Sequence, residues 1–262
     1  MMLGRIPCST LLRWEFILDL LSALRFPAKM IRWIRACICS PKLSISINGS
    51  LEGFFANSRG IRQGDPLSPY IFVLVMDALS MIIANKVSLN GRFCFRWRCD
   101  QAKITHLCFA DDLFLFCGGQ PDSAAILKQA MYSFFVLSSL SANASKSQIF
   151  VAGPDIHYRN ELVSIFGFQL GSLPVRYLGV PLISTELSAK DCKYLLEKIG
   201  ARIKSWTSKH LSYAGRLQLI NFMLFSLQIY WMSLFILPKK VLEQLAYEIL
   251  SLDWARSKTK RC

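Results

Sequence analysis

Two adjacent carboxylates, Asp111 and Asp112, lie between two strongly apolar runs in the segment Thr105–Cys117. Apolar runs of about five residues on either side of a two-residue polar link are typical of a β-hairpin. Here the predicted link is the acid pair itself, without the Gly or Asn that favours a tight turn. Because adjacent anions repel each other unless a cation lies between them, the pattern suggests a divalent metal at the tip of a buried hairpin. The alternative is a solvated turn that uses its acids for solubility.

A second segment whose residues could take part in binding is the loop Arg59–Pro69, which leads directly into an apolar run. Arg59 and Arg62 can neutralise phosphate, and the N-terminus of the following helix adds partial positive charge. Gly64 removes a side chain where a flat ligand could approach the backbone. The alternative is an ordinary helix-entry loop, since Gly and Pro serve that purpose in many proteins.

Composition narrows the possible partners. The chain has 262 residues, of which 53% are hydrophobic, so it can bury a sizeable core and is not a disordered protein. Lys plus Arg is 31 against 17 for Asp plus Glu, a net charge of +14. A protein this basic usually binds a polyanion, either nucleic acid or an anionic membrane surface. The alternative is a basic fragment whose acidic half is missing.

Cysteine and hydropathy patterns bear on the compartment. The nine cysteines include no Cys-x-x-Cys pair, which favours a reducing environment, and Cys108 and Cys117 are predicted to be small core residues. The uncharged run 217–237 is long enough to span a membrane, but its five Ser, Asn and Gln residues favour a buried or groove-lining helix. Arg13 and Glu15 interrupt the N-terminal apolar patch, so no signal peptide is expected and the prediction is an intracellular protein.

The elements that must position these segments follow from periodicity. We predict an α+β body followed by an all-helical tail, divided between residues 183 and 184. The predicted elements are helices Trp14–Leu24 and Ala28–Cys39, a hairpin over 43–58 turning at Asn48–Gly49, a helix Pro69–Ile83 capped by Ser68 and buried on most sides, an edge strand Arg92–Arg98, a helix Ser123–Leu140, a strand Ser147–Ala152, a strand and turn Arg176–Ile183, and helices over 188–205, 212–236 and 238–254.

Five segments in this order resemble the reverse transcriptases of LINE-type (non-LTR) retrotransposons, most closely the plant versions. Arg59–Pro69 resembles the motif that contacts nucleotide and template, and Phe109–Asp112 resembles the metal-binding motif. Leu140–Ser147 resembles the motif that carries an Asn and a Lys near the incoming nucleotide. Arg176–Leu182 resembles the loop that grips the primer end, and Leu211–Ile220 resembles a segment of the thumb.

The resemblance, which covers about residues 14–255, implies a right-hand polymerase architecture. Residues 1–183 would form a partial fingers and palm, an antiparallel sheet with packed helices, and residues 184–262 a helical thumb. It implies RNA-directed DNA synthesis by two-metal nucleotidyl transfer, with Mg²⁺ held by Asp111 and Asp112. One ion would activate the primer 3′-hydroxyl and the other would hold the nucleotide phosphates. The implied partners are an RNA template, a DNA primer or RNA–DNA duplex, and a dNTP, with no membrane.

The same resemblance assigns roles to further residues. Lys146 would neutralise or protonate the leaving phosphates, although a plain surface lysine is the alternative. Phe109 and Ala110 would pack beneath the acids, and basic helices after residue 188 would hold the duplex backbone. Trp206, Tyr213 and Trp231 could stack on bases, or be core residues. The implied nucleotide and template contacts are Arg59, Arg62, Gln63, Gly64 and Asn143, and the implied primer grip is Tyr177, Leu178 and Gly179.

One departure from the family limits these expectations. In the family a third carboxylate lies in an Asp-x-x-Lys-Ala-Phe-Asp segment shortly before a Trp-x-Phe, which Trp14-Glu-Phe16 matches here. Residues 1–13 contain no Asp or Glu, and Glu15 and Asp19 lie on the following helix. We therefore predict an N-terminally truncated fragment that lacks the part of the fingers preceding this strand in the family, is inactive alone and loses the central strand of its sheet, with marginal stability as a result. The alternatives are a non-catalytic nucleic-acid-binding remnant and a membrane-associated protein built around 217–237.

Overall fold

The chain folds into an α+β unit and a mainly helical unit, Met1–Gly171 and Ser172–Cys262. The computed structural model describes residues 1–5, 11–151, 156–183, 186–207 and 212–254. The α+β class is as expected from the sequence, and the division of polymerase subdomains between residues 183 and 184 stays a prediction.

The first unit is built from helices packed on a sheet. Its helices are α1 (Trp14–Ala23), α2 (Ala28–Cys39), α3 (Ser68–Leu89), α4 (Pro121–Ser138) and α5 (Ile156–Phe166), with a 3₁₀ turn at Ala144–Lys146. Its strands are β1 (Met2–Arg5), β2 (Lys42–Ile47), β3 (Ser50–Ala56), β4 (His106–Phe109), β5 (Asp112–Leu115), β6 (Gln148–Ile149) and β7 (Gln169–Leu170).

The main sheet has the strand order β4-β5-β1-β6-β7, so β1 is its central strand. β1 pairs antiparallel with β5, and Gly4 lies opposite Leu113 while Arg5 lies opposite Asp112. On its other side β1 pairs antiparallel with β6, with Met2 opposite Ile149. The expectation that the sheet loses its central strand is therefore wrong. Met2–Arg5 supplies the backbone partners that β5 and β6 require, although it carries no acid.

The core of this unit forms where α1, α3 and α4 cover the sheet. Met2, Leu113 and Leu115 are 3%, 0% and 2% exposed, and they join one apolar cluster with Leu79 of α3 and Leu127 of α4. These side chains come from distant parts of the chain, so the cluster stabilises the sheet and helices together.

The apolar helix α3 extends further and is more exposed than predicted. It runs to Leu89, and Ser68 is its first residue rather than its cap. Only a third of its most apolar window is buried; Tyr70 and Val73 are 72% and 66% exposed. Among the described helices, α3 alone is long and apolar enough by composition to cross a membrane. The prediction of a helix buried on most sides was wrong.

Several local predictions hold and others fail. The helix α2 has the predicted bounds, and the β2–β3 hairpin turns at Asn48 and Gly49, which both have positive φ as a tight hairpin requires. The predicted strand Arg92–Arg98 is wrong, because this segment forms turns and irregular structure. The predicted strand from Ser147 is shorter in the structure, and its predicted end, Ala152, is outside the described residues. The helix α5 was not predicted.

The second unit contains a small hairpin and a helical cluster. Its elements are β8 (Val175–Tyr177), β9 (Val180–Leu182), α6 (Lys193–Thr207), α7 (Tyr213–Leu219), a π-helical segment Ile220–Leu224, α8 (Phe225–Met232) and α9 (Lys239–Trp254). The run 217–237 is not one continuous span, since the helical path ends at Met232 and Phe235–Pro238 is irregular. Trp231 is 3% exposed and packs in the core of this unit, so base stacking by Trp231 is ruled out. The side chains of Trp206 and Tyr213, and Leu211 at the start of the predicted thumb motif, lie outside the described residues.

Candidate functional site

The acidic hairpin forms, but its turn lies one residue earlier than predicted. β4 ends at Phe109 and β5 begins at Asp112, so Ala110 and Asp111 form the two-residue link. Ala110 has φ 47°, a left-handed conformation that costs a non-glycine residue on the order of 1–2 kcal/mol. Asp111 is exposed in the turn, whereas Asp112 is half-buried as the first residue of a strand. The two carboxylates therefore occupy different environments.

Only one of the two strands of the acidic hairpin, β5, is buried. Leu113, Phe114 and Leu115 of β5 are buried, but β4 is the edge of the sheet and is largely exposed. Phe109 is 57% exposed and Ala110 is exposed, so neither packs beneath the acids as expected. Cys108 is also exposed, and its predicted core position was wrong.

The strand beside the acids brings no third carboxylate. Arg5 lies opposite Asp112 in β1, and Gly4 lies one position further along. Within the described residues no group of three His, Cys, Asp or Glu side chains could hold a metal ion. The two carboxylates are hard oxygen donors of the kind that Mg²⁺ prefers, but they are too few to form the three-carboxylate centre implied by the resemblance. The donor set thus fits Mg²⁺ in kind and not in number.

The segment with Asn143 and Lys146 adjoins the same strand. Asn143 caps the 3₁₀ turn, because its Oδ1 accepts hydrogen bonds from Ser145 N at 3.0 Å and Ser145 Oγ at 2.7 Å. The turn contacts β1, and a Cβ placed on Gly4 would lie 3.6 Å from Ser147 Oγ. Lys146 is exposed. The structure therefore brings Asn143 and Lys146 to the strand that also flanks Asp112.

The loop Arg59–Pro69 is held by its own acid. Asp65 Oδ2 accepts a hydrogen bond from Arg62 Nη2 at 3.1 Å, and Asp65 Oδ1 accepts one from Leu67 N at 2.9 Å. The second bond satisfies a backbone donor at the entry to α3, so Asp65 and not the predicted Ser68 provides this cap. Arg62 is thus engaged by a carboxylate, while Arg59 is exposed.

The side chains of Trp14 and Asn57, for which the sequence indicated no contact with this loop, position its start. Trp14 Nε1 donates to Gly60 O at 2.7 Å, and Gly60 N donates to Leu12 O at 2.7 Å. Asn57 Nδ2 donates to the carbonyl of Arg59. These bonds fix the start of the loop, and beyond them Gln63 and Gly64 are exposed at a turn where Gly64 has φ 84°. No sequence signal marks the bond between Trp14 and Gly60, since it joins segments that are 46 residues apart along the chain.

His106 is a further residue that the sequence left without a role. Its Nε2 lies 2.8 Å from Ser80 Oγ of α3, and its Nδ1 lies 3.0 Å from Thr105 Oγ1. Burial lowers the pKa of His106 below its ordinary value, because removal from water disfavours the charged imidazolium. The His106 ring links the edge strand β4 to Ser80 of α3 and so stabilises the position of the hairpin on this helix.

The candidate primer-grip residues lie in the second unit, at the β8–β9 hairpin. Leu178 and Gly179 form its turn with φ 50° and 85°, the geometry of a tight two-residue hairpin. Tyr230 Oη donates to Leu178 O at 2.9 Å and ties the turn to α8. Tyr177 is half-buried, whereas Leu178 and Gly179 are exposed.

A second contact anchors the base of this hairpin to α6. The Arg176 guanidinium lies 3.7 Å from the ring centroid of Tyr194, which is close cation–π geometry. The exposed turn is thereby presented by two helices of the same unit.

Comparison with known proteins relates the chain to one protein family. Residues 11–182 match the family described as reverse transcriptase (RNA-dependent DNA polymerase). An uncharacterised mitochondrial protein of Arabidopsis thaliana is 42% identical over 76 residues, 29% of this chain and 62% of that protein. A retrovirus-related Pol polyprotein from the type-1 retrotransposable element R2 of Popillia japonica is 36% identical over 92 residues, 34% of this chain and 12% of that protein.

A longer but more distant match is a transposon TX1 protein of Xenopus laevis, 24% identical over 211 residues. That match covers 79% of this chain and 16% of the relative. The chain spans less than two thirds of the length of each of these relatives.

Proposed function

Because this chain belongs to the reverse transcriptase family, we propose that it is a LINE-type palm and thumb that binds template and primer but does not polymerise by itself. The observation that carries the proposal is the composition of β1. This strand lies directly beside Asp112 in the sheet, yet the residues opposite Asp112 and Leu113 are Arg5 and Gly4. The scaffold of the hairpin is therefore intact while its set of acids is incomplete.

Nucleic-acid contacts fall to the candidate residues described above. Arg59, Gln63 and Gly64 are exposed on a loop whose start is fixed by hydrogen bonds, and this loop is the proposed contact for a nucleotide or template base. Asn143 and Lys146 belong to a turn that contacts β1, and Lys146 is the proposed contact for nucleotide phosphates. Arg62 contributes less free charge, since Asp65 already pairs with it.

The second unit supplies contacts to the primer and the duplex backbone. The turn Leu178–Gly179 is exposed and has Tyr177 beside it, so it is the proposed contact for the primer end. Lys193 and Lys204 of α6 are exposed on the same unit, and such cations bind phosphates without regard to sequence. In the family, binding of the dNTP and of the divalent metals depends on the complete set of acids. Asp111 and Asp112 by themselves would hold a metal only weakly.

The decisive experiment measures binding and synthesis separately. The purified chain is titrated into fluorescent RNA–DNA duplex, and the same preparation is assayed for primer extension on poly(rA)/oligo(dT) with Mg²⁺ and with Mn²⁺. We expect salt-dependent duplex binding and no extension. A missing catalytic ligand costs several kcal/mol of the barrier, roughly 10³-fold or more in rate.

Asp111→Asn is the matched variant for both assays. Processive synthesis by the original chain that Asp111→Asn abolishes would refute the claim of inactivity and establish a polymerase. Absence of duplex binding at low salt would refute the nucleic-acid role.

A further inference from the structure

The helix α2 presents a basic and aromatic surface that none of the functions above uses. Its inward side is apolar, with Ile34 7% exposed and Ile31 and Ile38 packed against the core. Its outward side carries Lys29, Arg32, Trp33 and Arg35, all exposed. We call these four side chains the α2 face.

The charge of the α2 face is not neutralised within the described part of the chain. The helix Ala28–Cys39 contains no Asp or Glu, and none of its three cations pairs with a described carboxylate. Three exposed cations on one short helix repel each other, so their arrangement favours an anionic partner.

Trp33 is the second unusual feature of this surface. Its side chain is 60% exposed, and Lys29 Nζ lies 5.0 Å from the ring centroid in cation–π geometry. Because most of the indole still meets solvent, the lysine covers only part of the ring. An exposed indole beside cations is the combination that stacks nucleic-acid bases while the neighbouring charges bind phosphates.

The shape of the helix argues against a lipid surface as the partner. A helix that binds a membrane inserts its apolar side into the lipid. Here that side, Ile31, Ile34 and Ile38, is packed into the protein core and is not available. The outward side carries three cations together with Trp33, Met30 and Cys37, so it is a charged surface with a small apolar area.

We propose that the α2 face binds single-stranded nucleic acid, with Trp33 stacking on a base and Lys29, Arg32 and Arg35 contacting successive phosphates. The proposal extends the nucleic-acid role given above and rests on it. The site is specific for single strands, because a base must be unpaired to expose its flat face to the indole. RNA and DNA share the required phosphates and bases, so both are expected to bind.

The test uses the whole chain and two fluorescent 20-nucleotide probes, oligouridine RNA and oligothymidine DNA, with anisotropy as the readout. Trp33→Ala should weaken binding of both between about 5-fold and 150-fold, the range for loss of one stacked base. Arg32→Gln and Lys29→Gln should each reduce the slope of log K against log salt by about 0.7, the release expected per phosphate contact on a single strand.

Matched controls lie elsewhere on the same unit. Tyr70→Ala removes an aromatic side chain that is 72% exposed, and the pair Arg92→Gln with Lys103→Gln removes two exposed charges. All of these positions are exposed, so circular dichroism and the midpoint of thermal unfolding should be unchanged. The controls should bind both single-stranded probes with the original affinity.

The outcomes separate this inference from the proposed function. If the α2 variants bind single strands like the original chain, while RNA–DNA duplex binding persists, the α2 face is refuted and the proposed function stands. If the original chain binds neither probe nor duplex, both are refuted. If Trp33→Ala instead abolishes binding to anionic phosphatidylserine vesicles and leaves the oligonucleotides unaffected, the partner is a membrane and this inference is overturned.

Discussion

The central position of β1 can be tested through Met2, whose side chain is 3% exposed in the middle of the sheet. A Cβ placed on the neighbouring Gly4 would lie 3.3 Å from Met2 Cε, so the methionine covers the space that the glycine leaves open. Met2→Ala would therefore open a cavity that backbone movement cannot easily close, since β1 is paired on both sides.

The expected effect follows from this burial. Replacing a buried Met by Ala typically costs about 2–5 kcal/mol, and the adjacent glycine points to about 3 kcal/mol or more here. For a unit of the size of Met1–Gly171, each kcal/mol lowers the unfolding midpoint by about 2–4 °C. The midpoint of the transition of this unit should fall by about 6–12 °C.

The assay is differential scanning calorimetry of the full chain, supported by amide hydrogen exchange at Leu113–Leu115, the part of β5 that pairs with β1. Met81→Ala is the matched control, because this methionine lies on α3 and is 45% exposed. The reasoning is refuted if Met2→Ala shifts the transition no more than Met81→Ala and leaves exchange at β5 unchanged. That result would mean that residues 2–5 do not form the central strand.

Two further predictions concern titratable groups. The pKa of His106 is lowered by burial, so the unfolded chain takes up a proton near pH 6.5 that the folded chain does not, and stability should fall as the pH drops below about 6.5. His106→Gln should flatten this part of a urea-unfolding profile against pH; an unchanged slope would contradict the buried position. Cys192 is fully buried with a raised pKa, caused first by burial and then by the charge of Asp191, so it should react with Ellman's reagent only on unfolding, unlike the exposed Cys37. Mass-spectrometric mapping of labelled peptides distinguishes the two thiols, and early labelling of Cys192 would count against the packing of α6.

Features set by neighbouring residues were predictable from the sequence. The turn at Asn48–Gly49 requires positive φ at both positions, which these residue types adopt readily, and the structure has it. The helix Ala28–Cys39 was predicted to be basic on one side through Lys29, Arg32 and Arg35, and α2 has these bounds with all three side chains exposed. The family could also be identified, because the order of short motifs is a property of the sequence itself.

Predictions that depended on burial were less accurate. The acidic hairpin was expected to be buried, yet β4 is an edge strand and Phe109 is exposed, since hydrophobic composition does not reveal which strand lies at the edge. The two acids predict a turn one residue too late, because Ala110 and not Asp112 joins Asp111 in the link and adopts the positive φ. For α3, an almost continuous apolar run does not show which side of the helix is buried. Only packing decides which of its sides meets the core.

The sequence by itself determined that Asp111 and Asp112 belong to a polymerase-like motif and that residues 1–13 contain no third acid. It did not determine what becomes of the sheet without that strand. Only the tertiary structure places Met2–Arg5 between β5 and β6, with Arg5 opposite Asp112. The physical reason is that strand pairing is satisfied by backbone groups, which every residue carries, whereas metal binding requires particular side chains. A strand can therefore complete the fold of this site and still lack its chemistry.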